Sequence, residues 1–183
     1  MYFANMYPHN INAADFNDAG QLVALINSAY RGETAKKGWT YESDLISGSI
    51  RIDAKGMIEL MEDPQAIFLK YNSPEHNIIG CVYLQIQDDK LYLGMLTVSP
   101  ELQGIGIGKK LLDAAEVHAH KVKANSIIMR VITLRKELLE WYERHGYKDS
   151  GKTEPFPENS RFGKPLQKLV FKILEKKLYP PAK

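Results

Sequence analysis

Cysteine and long apolar runs are what this sequence has least of. Cys81 is the only cysteine, so the chain cannot form an intramolecular disulfide, which is typical of proteins from a reducing compartment. No apolar run approaches the roughly 18 residues that can span a bilayer, and the first residues lack the basic and apolar regions of a secretory signal. We therefore expect a cytoplasmic protein without a membrane segment. The apolar neighbours of Cys81 predict a small buried side chain.

The sequence also lacks an excess of charge of either sign. The 24 basic and 22 acidic side chains leave a net charge of +2, which is too small to indicate a nucleic-acid partner. Hydrophobic residues at 44% and charged residues at 25% are the values of an ordinary globular protein. A chain of 183 residues is long enough to bury a full core, and we expect one domain over residues 1–183.

Three glycines at alternate positions, Gly104, Gly106 and Gly108, stand between two regular segments. Residues 91–98 are rich in β-formers and predict a strand, whereas apolar residues at helical spacing from Leu111 onward predict an amphipathic helix. Glycine lets backbone N–H groups approach a ligand's oxygens, and the first N–H groups of a helix have no partner within it. The stretch therefore predicts a phosphate or pyrophosphate site. The alternative is a turn that only changes the chain's direction.

The spacing of the glycines decides between known phosphate motifs. A P-loop would need glycine at the position of Gln103 and a hydroxyl residue at that of Lys110. The dinucleotide fingerprint would need a third glycine where Lys109 stands. Both motifs fail, which counts against ATP or NAD at this turn and leaves the pattern Gln-x-x-Gly-x-Gly.

Hydrophobic periodicity predicts the elements around the glycines. A short strand near Ile11 precedes a helix that ends at Gly32 and a second helix over residues 54–62. Strands are predicted for residues 66–71, 78–87 and 90–98. After the glycines come a helix to about residue 123, a strand over residues 127–132, a helix over residues 137–145 and a strand over residues 169–174. Residues 149–162 place Phe156 between two prolines and predict a stiff segment near a site.

The pattern Gln103-x-x-Gly106-x-Gly108 between a strand and a helix resembles the acetyl-CoA signature of the GNAT N-acetyltransferase superfamily. Residues 138–147, with Tyr142 and Gly146 four residues apart, resemble the family's second marker, A-x-x-x-Y-x-x-x-G-[FY]. The resemblance extends over about residues 10–175. Several short segments of the sequence also resemble a group of small, poorly characterised GNAT proteins. The resemblance implies the α/β (α+β) GNAT acyl-CoA N-acyltransferase fold. That fold has a central mixed, mostly antiparallel sheet of about six to seven strands flanked by about four helices.

The same resemblance implies a site for acetyl-CoA. Backbone groups of Leu96 and Val98 would bind the pantetheine arm, and the Val98 N–H would polarise the thioester carbonyl. The pyrophosphate would be held by the N–H groups of seven consecutive residues, Gln103, Gly104, Ile105, Gly106, Ile107, Gly108 and Lys109. The side chains of Ile105 and Ile107 are expected to pack outward.

Tyr142 is the general acid that the resemblance implies, because the departing CoA thiolate must be protonated. The alternative is an ordinary aromatic side chain on the buried face of a short helix. The general base is not identified, since Tyr92 stands where several family members carry a carboxylate. The base could be Glu42, Asp44 or a chain of water molecules, or the amine could arrive already neutral.

Four residues are candidate substrate contacts, namely Trp39, Glu42, Tyr92 and Phe156. For Trp39 and Glu42 the alternative is that the indole packs on the core and the carboxylate caps or solvates a helix. Arg135 stands where the family often has an asparagine that contacts the cofactor, which puts that contact in doubt. The histidines show no metal-ligand spacing, and we expect no metal.

The sequence thus predicts an acyltransferase of the N-acetyltransferase type. A primary amine of a small molecule or peptide would attack acetyl-CoA directly in a ternary complex, without nucleic-acid or membrane partners. By resemblance, a homodimer is one expected assembly. An alternative is a catalytically idle acyl-CoA-binding or sensor module.

Overall fold

The elements of the chain are given by a computed structural model, which describes residues 7, 10–157, 161 and 163–178. Its strands are β1 (Ile11–Ala13), β2 (Ala66–Asn72), β3 (Ile78–Gln87), β4 (Lys90–Val98), β5 (Ser126–Ile132), β6 (Lys148–Pro155) and β7 (Val170–Lys177). Its helices are α1 (Ala19–Tyr30), α2 (Gly32–Ala35), α3 (Ala54–Met61), α4 (Ile107–Lys121) and α5 (Lys136–Arg144).

The seven strands form one sheet in the order β1-β2-β3-β4-β5-β7-β6. Every neighbouring pair is antiparallel except β4 and β5, which run parallel. The mixed, mostly antiparallel sheet predicted from the sequence is therefore confirmed. The described residues contain five helices instead of about four, because the one-turn helix α2 follows α1 directly. Arg31 lies between the two in an extended conformation. Gly32, the first residue of α2, has a φ of +79°, which glycine adopts without steric cost.

A β-bulge interrupts the pairing of β3 with β4. Tyr83 lies opposite Gly94 and Cys81 lies opposite Thr97, so Val82 alone faces two residues of β4, Met95 and Leu96. Met95 has a φ of +45°, which is uncommon for a residue with a side chain. Such an extra residue bends the strand and increases its twist. The bulge therefore changes the direction of β4 just before the glycines.

Helices cover both faces of the sheet. On one face, α4 places Leu111, Leu112 and Ala115 against the largest hydrophobic cluster. On the other face, α1 and α3 contribute Leu22 and Met57, among others, to a second cluster. Cys81 belongs to this second cluster and is fully buried, as predicted, and burial raises the pKa of its thiol to about 12.

Strand β6 is where the structure departs most from expectation, since the sequence predicts a stiff segment over residues 149–162. Residues 158–160 and 162 of that prediction lie outside the described residues. Residues 148–155 contain only polar residues, one glycine and one proline, without the alternating apolar residues that mark a half-buried strand. The strand forms at the edge of the sheet by pairing with β7, and most of its side chains are exposed. Within the described part of the chain, no helix is both long and apolar enough to cross a bilayer.

Helix α4 packs closely on β3 because residue 80 is glycine. A Cβ atom at Gly80 would lie 2.9 Å from Cγ2 of the buried Ile107 and 3.3 Å from the carbonyl oxygen of Thr97. We expect Gly80→Ala to lower the free energy of unfolding by about 1–3 kcal/mol, since the helix must move away from the sheet. Urea denaturation measures this change.

The control for that variant is Gly20→Ala in α1, where the added Cβ would meet nothing within 4 Å. Alanine is the better helix former, so this change is expected to leave the stability unchanged or to raise it by up to about 1 kcal/mol. Equal unfolding midpoints for Gly80→Ala and the unmodified protein would contradict the packing argument.

Candidate active site

Strands β4 and β5 separate along their length. Their parallel register runs from the pair Lys90–Ser126 to the pair Tyr92–Ile128 and ends there, although β4 continues to Val98. The bulge at residues 95 and 96 lies in the part that has left β5. The separation leaves the β5-facing edge of β4 available between Leu93 and Val98.

The hydrogen-bond pattern shows which backbone groups of β4 point to that edge. Val98 lies opposite Gly80, and the bond between these strands is donated by the next N–H, that of Ser99, to the Ile79 carbonyl. This is the arrangement around a non-hydrogen-bonded antiparallel pair. The N–H and C=O of Val98 therefore point away from β3, towards the gap. Two nearby carbonyl oxygens already accept bonds, Leu96 from the Tyr30 hydroxyl at 3.0 Å and Val98 from Gln103 Nε2 at 3.1 Å.

The glycine turn, residues 103–108, leads from this edge into α4. Gly104 and Gly106 have φ values of +87° and +88°, in the left-handed region that glycine favours. The Lys110 N–H donates to the Gly106 carbonyl over 3.1 Å. The N–H groups of Ile107, Gly108 and Lys109 precede that bond and have no acceptor within the helix. The turn thus presents several backbone donors at a positive helix end, which fits a pyrophosphate.

The side chains of the turn make contacts outside the row of backbone N–H groups. Ile105 is 65% exposed and points outward as expected, but Ile107 is 3% exposed and packs into the core below α4, so its predicted outward packing is wrong. The Lys109 ammonium group pairs with Asp113 at 2.7 Å, one helical turn further along. The Gln103 side chain accepts from the Trp39 N–H at 2.7 Å in addition to its bond to Val98. A Cβ atom at Gly108 would lie 3.4 Å from the Trp141 ring, which is an ordinary contact, so packing alone does not require glycine there.

A cavity of about 380 Å³ lies beside the turn, between β4 and α5. We call it the turn cavity. Its lining includes Leu96, Val98 and the Trp141 ring, together with Gln103, Gly104, Gly106, Ile107, Gly108 and Lys109 of the turn. Trp39 also lines this cavity and is 53% exposed, so the alternative that its indole packs on the core does not hold.

A second cavity of about 300 Å³ lies on the other side of the gap, and we call it the arginine cavity. Three of the four predicted substrate contacts line it: Glu42, Tyr92 and Phe156. Sequence reasoning missed four other lining residues, Tyr30, Arg31, Arg51 and Arg130. Hydrophobic periodicity does not distinguish these helix, loop and strand residues from ordinary ones, so it could not mark them as site residues.

Tyr142 is one of three residues that line both cavities, with Leu96 and Leu138 as the others. It lies on α5, and its ring contacts those of Trp141 and Tyr147 edge-on, with centroids 5.1 and 6.0 Å away. Burial is the main cause that raises the pKa of the Tyr142 phenol above its ordinary value, and nearby Tyr92 adds to it. The hydroxyl therefore stays protonated at neutral pH and can donate a proton.

Glu42 is held by two arginines. Its carboxylate lies 3.4 Å from Arg31 Nη2 and 3.8 Å from Arg51 Nε, and 12% of its side chain is exposed. Asp44, the other acidic candidate for the base, does not line the arginine cavity and accepts from the Tyr41 hydroxyl at 3.2 Å. Glu42 is therefore the one carboxylate in the described wall of that cavity, and it is already engaged in ion pairs.

Arg135 connects α5 to the loop that carries Trp39. Its guanidinium donates to the backbone carbonyls of Trp39 and Tyr41 and pairs with Glu137 at 2.6 Å. The residue that departs from the family's asparagine thus positions the loop at the mouth of the turn cavity. Among the residues that the structure describes, no group of three His, Cys, Asp or Glu side chains could hold a metal ion.

Residues 63–149 match the family model of the acetyltransferase (GNAT) domain. The chain contains a GNAT acetyltransferase domain. The matched residues run from the turn before β2 to the start of β6 and include β4, the glycine turn and α5. No curated protein matches the sequence significantly.

Solved structures share the fold of this chain. An N-acetyltransferase from Staphylococcus aureus Mu50 is 14% identical with a TM-score of 0.67, over 91% of this chain and 96% of its own. The PaiA N-acetyltransferase from Thermoplasma acidophilum, in complex with coenzyme A, is 18% identical with a TM-score of 0.62, over 92% and 98%. YncA from Salmonella typhimurium, with its cofactor acetyl-CoA, is 15% identical with a TM-score of 0.67, over 94% and 95%. At these identities the likeness confirms the predicted fold.

The Gln103 side chain joins the loop that carries Trp39 to β4 through two hydrogen bonds, and its replacement tests this connection. Gln103→Ala leaves the Trp39 N–H and the Val98 carbonyl to water, so we expect the free energy of unfolding to fall by about 1 kcal/mol. Chymotrypsin is expected to cut the loop near Trp39 and Tyr41 faster. The control is Gln167→Ala at an exposed position. Identical digestion of the two variants would contradict the role of Gln103.

Proposed function

We propose that the protein is an N-acetyltransferase that transfers the acetyl group of acetyl-CoA to a primary amine. The observation that carries the proposal is the pair of cavities on the two sides of the β4–β5 gap, which meet at Tyr142. A reaction between two substrates needs such an arrangement, because each must enter from its own side and reach the other. The structural relatives solved with coenzyme A and acetyl-CoA support the choice of cofactor.

The turn cavity is the proposed site for acetyl-CoA. The residues present fit it, since backbone donors of the glycine turn suit a pyrophosphate and the gap beside β4 suits an extended arm. We assign the pyrophosphate to N–H groups of residues 103–109 and the pantetheine arm to the free edge of β4 at Leu96 and Val98. The Trp39 ring at the mouth and the Trp141 ring in the wall supply apolar contacts.

When bound, acetyl-CoA supplies the thioester: the amine nitrogen forms a C–N bond to the acetyl carbon, the C–S bond breaks, and CoA leaves as a thiolate. The Val98 N–H donates to the carbonyl oxygen, where negative charge develops. Tyr142 donates its phenolic proton to the sulfur and recovers a proton that the amine nitrogen has lost. The products are an N-acetyl amide and CoA.

The amine has to be neutral before it attacks. Glu42 is the carboxylate in the described wall of the arginine cavity, and its Oε2 is already engaged in ion pairs with Arg31 and Arg51. We therefore propose that the amine proton leaves through water in the arginine cavity, without a dedicated carboxylate base. The same observation favours the second candidate function, a module that binds acyl-CoA without turnover.

Calorimetric titration with acetyl-CoA is the first test, with ATP and NAD as controls. We expect micromolar binding of acetyl-CoA and no binding of the two controls. In Gly106→Asp the affinity is expected to fall by roughly 100-fold or more, because a carboxylate enters the pyrophosphate position. The matched control is Gly151→Asp on β6, where the φ of +76° and the open surroundings are similar.

Equal loss of acetyl-CoA binding in the two aspartate variants would assign the effect to backbone strain instead of the site. A folded protein that does not bind acetyl-CoA would overturn the proposed function. Binding without acetyl transfer to any member of a wide amine panel would favour the idle module.

Tyr142→Phe tests the general acid. We expect kcat to fall by roughly 10-fold to 10⁴-fold at neutral pH with unchanged acetyl-CoA affinity, since the ring remains and only the proton donor is lost. Tyr147→Phe is the control, because it removes the hydroxyl of a neighbouring tyrosine that is buried in the core and has no hydrogen-bond partner. An unaltered kcat in Tyr142→Phe would remove Tyr142 from the mechanism.

A further inference from the structure

The wall of the arginine cavity carries more positive than negative charge. Four arginines line it, whereas Glu42 is the acidic residue in its described lining; the arginines are Arg31, Arg51, Arg130 and Arg135. Excess charge of one sign in a confined space of low dielectric constant attracts a ligand of the opposite sign. Whether such an excess remains in this cavity depends on the carboxylate that each arginine pairs with.

Two of the arginines have carboxylate partners of their own. Arg130 pairs with Glu154 of β6 at 2.6 Å and lies over the Tyr92 ring. Arg135 pairs with Glu137 at 2.6 Å, and its two Nη groups donate to the backbone carbonyls of Tyr41 and Trp39. The charges of Arg130 and Arg135 are thus balanced within the protein.

The other two arginines share Glu42. Arg31 makes the closer contact, at 3.4 Å, and also donates to the carbonyls of Ser47 and Gly48. Arg51 approaches the same carboxylate oxygen only to 3.8 Å, and 37% of its side chain is exposed. One carboxylate cannot balance two guanidinium charges, and the weaker contact belongs to Arg51. The unbalanced charge of the cavity is therefore that of Arg51.

The backbone that carries Arg51 is held in place on α1. The Asn27 side chain accepts from the N–H groups of Arg51 and Ile52 at 2.7 and 3.1 Å and donates to the Ile52 carbonyl at 2.8 Å. The guanidinium stacks over the Tyr30 ring, 5.6 Å from its centroid. A cation on a fixed backbone and against an aromatic face loses little freedom when it binds a ligand.

We infer that the amine acceptor carries an anionic group, a carboxylate or phosphonate, and that Arg51 binds this group in the arginine cavity. A guanidinium presents a planar fork of donors that matches such an anion in bidentate geometry. The Tyr30 ring lies between Arg51 and the Leu96 carbonyl, which its hydroxyl contacts. Because Arg51, Leu96 and Tyr142 line the same cavity, an acceptor held at Arg51 would have its amine within the space that Tyr142 also lines. This inference rests on the proposed function.

The test compares acceptors that differ only in the anion. Amino carboxylates from glycine to δ-aminovalerate are paired with their primary amides, and aminoalkyl phosphonates with the corresponding alkylamines. Binding to the protein in the presence of CoA is measured by calorimetry, so that the result does not depend on turnover. We expect at least one anionic member to bind roughly 10-fold or more tightly than its neutral partner, as hydrogen bonds to a charged group would provide.

Arg51→Gln is expected to abolish this preference, and Arg51→Lys, which keeps the charge but not the fork, to retain part of it. The control is Arg144→Gln, an exposed arginine on α5 outside both cavities, which is expected to retain the full preference. Acetyl-CoA affinity, measured on the same samples, is expected to be equal in all variants.

Two outcomes would overturn the inference: equal binding of anionic and neutral members throughout the panel, or a preference that persists in Arg51→Gln. Neither outcome affects the proposed function, which fails separately if the unmodified protein does not bind acetyl-CoA. Efficient acetylation of neutral amines without any preference would support the proposed function and overturn the role of Arg51.

Discussion

The separation of β4 from β5 is the feature on which the candidate site depends. Sheets normally satisfy the backbone groups of a central strand on both edges, and an unsatisfied edge inside a protein is costly. Here the pairing stops at Tyr92 while β4 continues for six more residues, with a bulge at Met95 and Leu96. The open edge supplies the backbone groups at Val98, and its two sides become two cavities. Tyr142 of α5 lines both of them.

Glycine contributes to this architecture in two distinct ways. Gly104 and Gly106 allow the left-handed backbone of the turn, with open space where their side chains would be. Gly80 has an ordinary φ value and instead allows the close packing of α4 on β3. The helix N-terminus reaches the gap only when both conditions hold. A substitution at either kind of glycine would therefore disturb binding for different physical reasons.

Much of the fold could be predicted from the sequence, and the exceptions have a common cause. The strands β2 to β5 and the helix α4 bury apolar residues at regular spacing, which periodicity reveals directly. Strand β6 buries few side chains and is formed by its backbone pairing with β7, so no alternation of apolar and polar residues marks it in the sequence. The assignment of Tyr142 came from the resemblance of residues 138–147 to the GNAT marker, which lies within one helix. Arg31 and Arg51 converge on Glu42 from separate loops, and such convergence depends on tertiary structure that local patterns do not encode.

Glu42 shows how the same residue can look catalytic in a sequence and structural in the fold. Its backbone N–H donates to the Tyr30 carbonyl, and its carboxylate joins Arg31 at the end of α1 to Arg51 ahead of α3. Removing a carboxylate from such a site leaves buried positive charge without compensation, which typically costs about 3–5 kcal/mol. Lost activity in a Glu42 variant would therefore report a collapsed cavity as readily as a missing base. Arg51 is better suited to separate binding from folding, because its backbone is held by Asn27 independently of its side chain.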